Sequence, residues 1–273
     1  MASTTTGPTR QITYLSHGVP LLIRVGSEEL LAALSDLLPH DTKLIDAAQE
    51  GAQTFSLLPP SVEHGYRCFQ GEELALKHED AKPVMEQFSR DVMVYVANHA
   101  PDRVFVHAGV VGWRGGALVF PGASFAGKST LIAALLCCGA TYYSDEYAVL
   151  DSNGLVYPYA RALQMRSPDS RQQHGVDCSH FGSVAGIEPL RVTHVIFATY
   201  TEASRWNPQP VSSGMAVLEM LRHAIPVQRT PARVMSALRN MMSSAKAWRS
   251  QRGEASEAAR DILSAINEET TLP

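Results

Sequence analysis

The chain contains the sequence Gly122-Ala123-Ser124-Phe125-Ala126-Gly127-Lys128-Ser129-Thr130, which matches the pattern GxxxxGK(S/T). An apolar run at residues 117–120 precedes it and another at residues 131–136 follows it, so a strand, a glycine loop and a helix are predicted in that order. The two glycines let the backbone curl so that successive N–H groups point inward, where the positive end of the helix dipole also points. The pattern predicts that residues 122–130 bind the phosphates of a nucleoside triphosphate.

Two side chains of this loop have separate predicted tasks. Lys128 reaches the β- and γ-phosphates, and the Ser129 hydroxyl ligates Mg²⁺. ATP and Mg²⁺ are therefore the expected ligands, while the preference for ATP over another nucleotide stays open. An ordinary glycine-rich turn between a strand and a helix is the alternative interpretation.

An acidic pair, Asp145-Glu146, follows on the first strand or turn after the predicted helix. A hydroxyl-phosphorylating enzyme needs a carboxylate near the metal and an acceptor for the hydroxyl proton, and this pair offers both. Transport ATPases carry their acidic strand far downstream, after an LSGGQ-like signature, and neither feature is present in this sequence. A solvated turn is the alternative interpretation of the pair.

The composition narrows the class of protein. The 273 residues carry 23 Lys+Arg and 27 Asp+Glu, a net charge of -4 that argues against nucleic acid as the main partner. No apolar run approaches the roughly 18–20 residues that span a bilayer, and the N-terminus lacks a signal-peptide pattern. We expect a cytoplasmic protein with no membrane partner and with reduced thiols at its four cysteines, Cys68, Cys137, Cys138 and Cys178.

Three regions are predicted along the chain: an α+β N-terminal region at residues 1–100, a P-loop core at 101–225 and C-terminal helices at 226–273. The predicted strands are 12–15, 20–25, 55–58, 66–69, 73–76, 190–200 and a hairpin of 104–113 with 117–120. The predicted helices are 27–38, 83–98, 128–138, 212–222, 230–242 and 254–266.

Several of these motifs together resemble a known family. His107-Ala108-Gly109-Val110, the hairpin, the glycine loop and Ser144-Asp145-Glu146 are similar to the kinase domain of HPr kinase/phosphorylase. That bacterial serine kinase shares its nucleotide-binding fold with phosphoenolpyruvate carboxykinase. The resemblance implies an α/β fold whose P-loop kinase core has a mixed sheet flanked by helices. It also implies that Asp145 is the catalytic base, that Glu146 helps Ser129 to hold Mg²⁺, and that His107 approaches the phosphates.

The sequence departs from the family at three positions. Phe125 replaces the middle glycine of the loop, Ala108 interrupts the H-G-V motif, and Glu146 stands where aspartate is usual. The family segment associated with phosphorolysis, LEIRG, is not recognisable, so we expect a kinase without appreciable reverse activity. The N-terminal 100 residues also differ from the family's own N-terminal domain. The chain therefore resembles the looser group of HPr-kinase-like proteins, some of which phosphorylate serine on peptides.

These observations predict transfer of the γ-phosphate to a hydroxyl, with serine of a protein or peptide as the expected acceptor. A P-loop NTPase, a regulatory nucleotide-binding protein and a kinase acting on a small-molecule metabolite are the alternatives. Self-association into a homo-oligomer stays open. Arg161, Arg166 and Arg191 are candidates for a cation that stabilises the transferred phosphoryl group. The basic run 221–253 is interpreted as a solvated helix face, with a docking surface for an acidic peptide as the alternative.

Overall fold

The computed structural model describes residues 9–46, 50–122, 127–166 and 173–271. The fold is mixed α/β, and the chain divides into two compact units, residues 1–102 and 103–273. Within the described residues, no helix is both long enough and apolar enough to cross a membrane.

In its described residues, the first unit contains a six-stranded sheet and three helices. Its strands are β1 Arg10–Ser16, β2 Val19–Val25, β3 Thr42–Leu44, β4 Gln53–Leu58, β5 Tyr66–Gln70 and β6 Glu73–His78, in the spatial order β3-β1-β2-β4-β5-β6. Its helices are α1 Glu28–Ala32, α2 Leu34–Leu37 and α3 Ala81–His99. The strands predicted at 12–15, 20–25, 55–58, 66–69 and 73–76 and the helix at 83–98 are confirmed.

The core of this unit follows from two periodicities. Alternate residues of β2, such as Leu21 and Ile23, are buried, as expected for a strand with one core-facing side. In α3 the residues Val84, Phe88 and Val92 recur every four positions and are fully or almost fully buried. The helix predicted at 27–38 is instead the two short helices α1 and α2. Ser27 caps α1 as predicted, accepting a hydrogen bond from Leu30 N at 3.3 Å.

The second unit is built on an eight-stranded mixed sheet. The strands of this unit are β7 Val104–Trp113, β8 Gly116–Pro121, β9 Thr141–Ser144, β10 Tyr147–Leu150, β11 Leu155–Tyr157, β12 Leu163–Arg166, β13 Gln173–Val176, β14 Leu190–Tyr200, β15 Gln209–Val211 and β16 Lys246–Arg252. The main order is β11-β10-β7-β8-β14-β16-β15, with β9 also paired to β7, while β12 and β13 form a separate hairpin. The predicted hairpin of β7 and β8 is confirmed, and Arg114 and Gly115 at its turn both have positive φ.

Helices cover both faces of this sheet. They are α4 Lys128–Cys137, α5 Ser213–Leu221, α6 Pro231–Met242 and α7 Ala255–Thr271. α4 and α7 share one apolar cluster with the sheet, and α5 and α6 share the other. Gly109 of β7 lets α4 approach closely, because a Cβ at that position would lie 2.8 Å from Ile132 Cδ1.

The segment predicted as C-terminal helices contains a strand as well. β16 lies between β14 and β15 and runs parallel to β14, with Val195 opposite Ala247. The prediction of helices alone over 226–273 is therefore wrong for residues 246–252. Its sequence, Lys-Ala-Trp-Arg-Ser-Gln-Arg, has few apolar residues, and pairing with a neighbour on each side stabilises it as a strand. The basic run 221–253 is consequently divided among α5, α6 and β16 rather than forming one helix face.

Candidate active site

The predicted phosphate loop connects β8 to α4, as its sequence context requires. The described residues include both ends of the loop, Gly122 and Gly127, whereas Ala123, Ser124, Phe125 and Ala126 lie outside them. Gly127 is the N-cap of α4 and has φ 76° and ψ 20°, a left-handed conformation that favours glycine. No side chain caps this helix among the described residues. The first N–H groups of α4 and its dipole are thus directed at the loop, an arrangement that suits an anion.

Lys128 lies at the base of the loop. Its Nζ donates a hydrogen bond to the Gly122 carbonyl oxygen at 2.8 Å. Burial lowers the pKa of Lys128 to about 8, while Asp145 and Glu146 oppose that decrease. The ammonium is therefore partly desolvated, and a phosphate group would stabilise its charged form.

His107, on β7, contacts the same carbonyl group. Its Nδ1 lies 2.9 Å from the Gly122 oxygen, and since a carbonyl only accepts, Nδ1 carries the proton. Burial, followed by the charge of Lys128, lowers the pKa of His107 to about 4. A neutral His107 holds the start of the loop in place rather than adding positive charge there.

The acidic pair occupies the turn between β9 and β10. The Ser144 hydroxyl oxygen accepts hydrogen bonds from the N–H groups of Glu146 and Tyr147, at 3.0 and 2.9 Å, and this fixes the turn. Both β9 and β10 pair with β7, so the turn lies beside the strand that carries His107. The structure thereby brings the acids to the phosphate loop.

Asp145 is the acid that meets the loop. The Ser129 hydroxyl donates to its Oδ2 at 2.8 Å, and the Gln164 backbone N–H donates to the same oxygen at 3.1 Å. The Tyr142 hydroxyl lies 3.0 Å from Oδ1. Burial, and then the charge of Asp145, raise the pKa of Tyr142, so that this hydroxyl stays protonated as a donor. The same hydroxyl lies 2.8 Å from the Arg161 carbonyl oxygen, so its one proton is shared between the two acceptors. Asp145 therefore has two full donors, Ser129 and the Gln164 N–H, and is 8% exposed.

Glu146 has different surroundings. Its side chain is 34% exposed, and its Oε2 lies 3.9 Å from Arg161 Nη1. Of the three candidate cations, Arg161 is therefore beside the acidic pair. The side chain of Arg166 lies outside the described residues. Arg191 is at the start of β14, away from the loop, and donates to the Ser244 hydroxyl at 3.4 Å.

A cavity of about 610 Å³ adjoins the loop at the carboxyl ends of the parallel strands β8, β14 and β16. Ligands of open α/β sheets bind at such strand ends. Lys128, His223, Arg252 and Glu254 contribute to its lining. His223 and Arg252 are not among the site residues that the sequence predicts. Neither belongs to a recognisable motif, and the burial of Arg252 depends on a strand that was not predicted.

The residues fit Mg²⁺ only together with further ligands. In the described part of the chain, no group of three or more His, Cys, Asp or Glu side chains could hold a metal. Ser129 Oγ and Asp145 Oδ2, however, are two hard oxygens 2.8 Å apart. Adjacent ligands of an octahedral Mg²⁺ with bonds of about 2.1 Å are separated by about 3 Å. The pair therefore suits an ion that takes its remaining ligands from phosphates and water, as Mg²⁺ commonly does.

Comparison with known proteins adds no identification. No family model matches the chain, and the search of curated proteins finds no match.

Proposed function

We propose that the protein is an ATP- and Mg²⁺-dependent kinase that transfers the γ-phosphate to a hydroxyl, in the first place a serine of a protein or peptide. The proposal includes a P-loop kinase core of the HPr kinase/phosphoenolpyruvate carboxykinase type. The observation that carries it is the meeting of Lys128, Ser129 and two carboxylates at the loop between β8 and α4. Phosphoryl transfer needs groups that bind the phosphates, neutralise their charge and activate the acceptor hydroxyl, and these are groups of that kind.

The nucleotide phosphates would replace the partners that the loop side chains have in the structure. Lys128 would exchange the Gly122 carbonyl for phosphate oxygens, which are stronger partners because they are charged. Ser129 and Asp145 would hold Mg²⁺, which neutralises the charge on the β- and γ-phosphates when it is bound. The N-terminus of α4 contributes its N–H groups to the same anion.

The contacts support a division of tasks between the acids that differs from the one implied by the resemblance. Asp145 is buried and accepts hydrogen bonds from Ser129 and from the Gln164 N–H, which suits a metal ligand better than a base that must meet an incoming substrate. Glu146 is more exposed, and its Oε2 lies 3.9 Å from Arg161 Nη1. We therefore assign proton acceptance to Glu146.

The reaction then proceeds in one step. The acceptor oxygen forms a bond to the γ-phosphorus, and the bond from that phosphorus to the β–γ bridging oxygen breaks. The hydroxyl proton passes to the Glu146 carboxylate, and ADP leaves with the bridging oxygen. We propose direct transfer rather than a phosphoenzyme because the loop sequence 122–130 contains no nucleophilic Cys or His.

A labelling experiment tests this function. The protein is incubated with ATP labelled at the γ-phosphate and an extract of its source cells, and the label is then located. Acid-stable label on a protein, peptide or small-molecule hydroxyl supports a kinase, and the type of labelled product identifies the acceptor class. Lys128→Met is the inactive control. Release of inorganic phosphate alone, or acid-labile label on the enzyme or product, would contradict the proposal.

A further inference from the structure

Arg252 is a buried cation next to the phosphate loop. Its side chain belongs to the last residue of β16 and lines the cavity, and the residue is 3% exposed. Nη2 donates to the Gly127 carbonyl oxygen at 3.0 Å and Nη1 to that of Gly253 at 3.0 Å. Gly127 makes this approach possible, because a Cβ there would lie 2.8 Å from Nη2.

Arg252 has no ion-pair partner in the part of the chain that the structure describes. Among the described residues, no carboxylate lies within 4.0 Å of its guanidinium, and its buried Nε has no hydrogen-bond partner. Glu254, also on the cavity wall, favours the charged form from a longer distance. Two carbonyl groups satisfy part of the guanidinium but do not neutralise it, and a buried charge without a counter-ion is costly. The Tyr200 ring, whose centroid lies 5.4 Å from Cζ, adds a cation–π contact, but none of these neutral partners supplies a negative charge to the buried guanidinium.

The position of Arg252 distinguishes it from the acidic pair. The turn with Asp145 adjoins β7, on one side of β8, whereas β14 and β16 lie on the other side. On α4, Ser129 contacts Asp145, and the next residue, Thr130, lines the cavity. Lys128 lies between these two regions. A phosphate chain bound at the loop would thus have Mg²⁺ and the acids at one end and Arg252 at the other.

We propose that Arg252 is a second phosphate-binding cation, which contacts the phosphates next to the nucleoside while the nucleoside itself enters the cavity. This rests on the proposed function to the extent that the ligand is a nucleotide. It adds a binding residue and an orientation: the γ-phosphate points towards Asp145 and Glu146, and the nucleoside points towards the ends of β14 and β16. Arg252 therefore contacts phosphates that ADP and ATP have in common.

The test is calorimetric titration with Mg·ADP, Mg·ATP and pyrophosphate. Arg252→Gln should weaken ADP and ATP binding by the same factor, about 10- to 100-fold, which is the effect of one hydrogen bond to a charged group. Arg252→Lys, which keeps the charge but not the planar fork, should give an intermediate loss. Arg239→Gln on α6 makes the same change of charge at an exposed arginine outside the cavity and should bind like the unmodified protein.

Thermal unfolding without ligand shows whether each variant is folded. If Arg252→Gln does not fold, Arg252→Lys decides: unchanged ADP affinity in that variant would overturn the inference. Loss of ATP binding with full retention of ADP binding would also overturn it, because Arg252 would then contact the γ-phosphate.

The outcomes also separate this inference from the proposed function. If the unmodified protein transfers phosphate but Arg252→Gln binds ADP normally, the proposed role of Arg252 is wrong and the proposed kinase function is supported. If the protein binds ADP through Arg252 but transfers no phosphate to any acceptor, the proposed kinase function is wrong and the phosphate-binding role of Arg252 is supported. If the unmodified protein binds neither nucleotide nor pyrophosphate, both are wrong.

Discussion

Replacing Lys128 by methionine should remove nucleotide binding without reducing the stability of the free protein. At neutral pH the folded protein carries a partly buried ammonium that the unfolded chain exposes to water. The decrease in the pKa of Lys128 from 10.5 to about 8 corresponds to roughly 3 kcal/mol. Because the ammonium is still partly exposed, we reduce this by about half for solvent screening. The variant is stabilised because it no longer buries this charge, and loss of the hydrogen bond to Gly122 offsets about 1 kcal/mol of that stabilisation.

The pH dependence of the difference in unfolding free energy between unmodified protein and Lys128→Met shows whether the buried ammonium causes it. Between pH 8 and 10.5 the unfolded chain binds more protons at this lysine than the folded protein does, so unmodified protein gains stability relative to Lys128→Met as the pH rises. With the same allowance for screening, the difference should shift by about 1 kcal/mol in favour of the unmodified protein between pH 7 and 9.5.

Urea unfolding followed by tryptophan fluorescence measures these values. The three tryptophans, Trp113, Trp206 and Trp248, all belong to the second unit, as Lys128 does. Mg·ATP at about 100 times its Kd should add about 2.7 kcal/mol to the unmodified protein and nothing to the variant. Lys246→Met, at an exposed lysine paired with Glu269, is the control and should lose less than about 1 kcal/mol and keep the ATP effect. A Lys128→Met protein that is less stable by the same amount at both pH values, or still stabilised by ATP, would refute the reasoning.

Three further predictions concern the acids, the pH dependence of binding and the packing. Asp145→Asn should weaken the Mg²⁺ dependence of ATP binding, which calorimetry measures. Glu146→Gln should leave ATP binding intact and lower phosphate transfer at least about 100-fold in the labelling assay, as for loss of a general base. Equal mild effects of the two substitutions would show that the pair is only a solvated turn. Pyrophosphate affinity should decrease as the pH rises above about 8 and Lys128 loses its proton, and Lys128→Arg, which stays charged, should extend the plateau to higher pH in the same titration. Gly154→Ala should lower the free energy of urea unfolding by about 2–5 kcal/mol, because its Cβ would lie 2.2 Å from Met241 N in a left-handed backbone. The control Gly115→Ala, also left-handed but with open space around it, should lower it by only about 1–2 kcal/mol. Similar losses in the two variants would contradict the packing of α6 on the loop that contains Gly154.

Local apolar patterns were sufficient to predict α3, β8 and α4. The four-residue spacing predicts α3 because burial of one face stabilises that helix. The continuous apolar runs around the glycine loop predict β8, which is buried along its whole length, and α4, whose run 131–136 is mostly buried. The closeness of Ser129 and Asp145 also follows from local order, since the acids come directly after the loop helix and its next strand.

The features that were missed depend on distant partners. β16 has too few apolar residues to be recognised alone, and it becomes a strand because β14 and β15 lie on either side of it. Arg252 looks like one of many surface cations until that strand brings it to Gly127. The different tasks proposed for Asp145 and Glu146 likewise depend on Tyr142, Gln164 and Arg161, whose positions no motif indicates.

The contact between Gly127 and Arg252 joins residues that are 125 positions apart. The ribosome therefore synthesises the loop well before the residue that contacts it. At about 5–20 residues per second, the ribosome adds Arg252 roughly 6–25 s after the loop. During that interval the nascent chain can form the β7–β8 hairpin and α4, but β14 lacks its neighbour and exposes an unpaired edge that favours aggregation. We therefore expect chaperone protection to be needed most after β14 has emerged from the ribosome and before β16 has done so. Ribosome-stalled chains long enough to expose β14 but not β16 should be cleaved in β14 by protease, and chains long enough to expose β16 as well should resist.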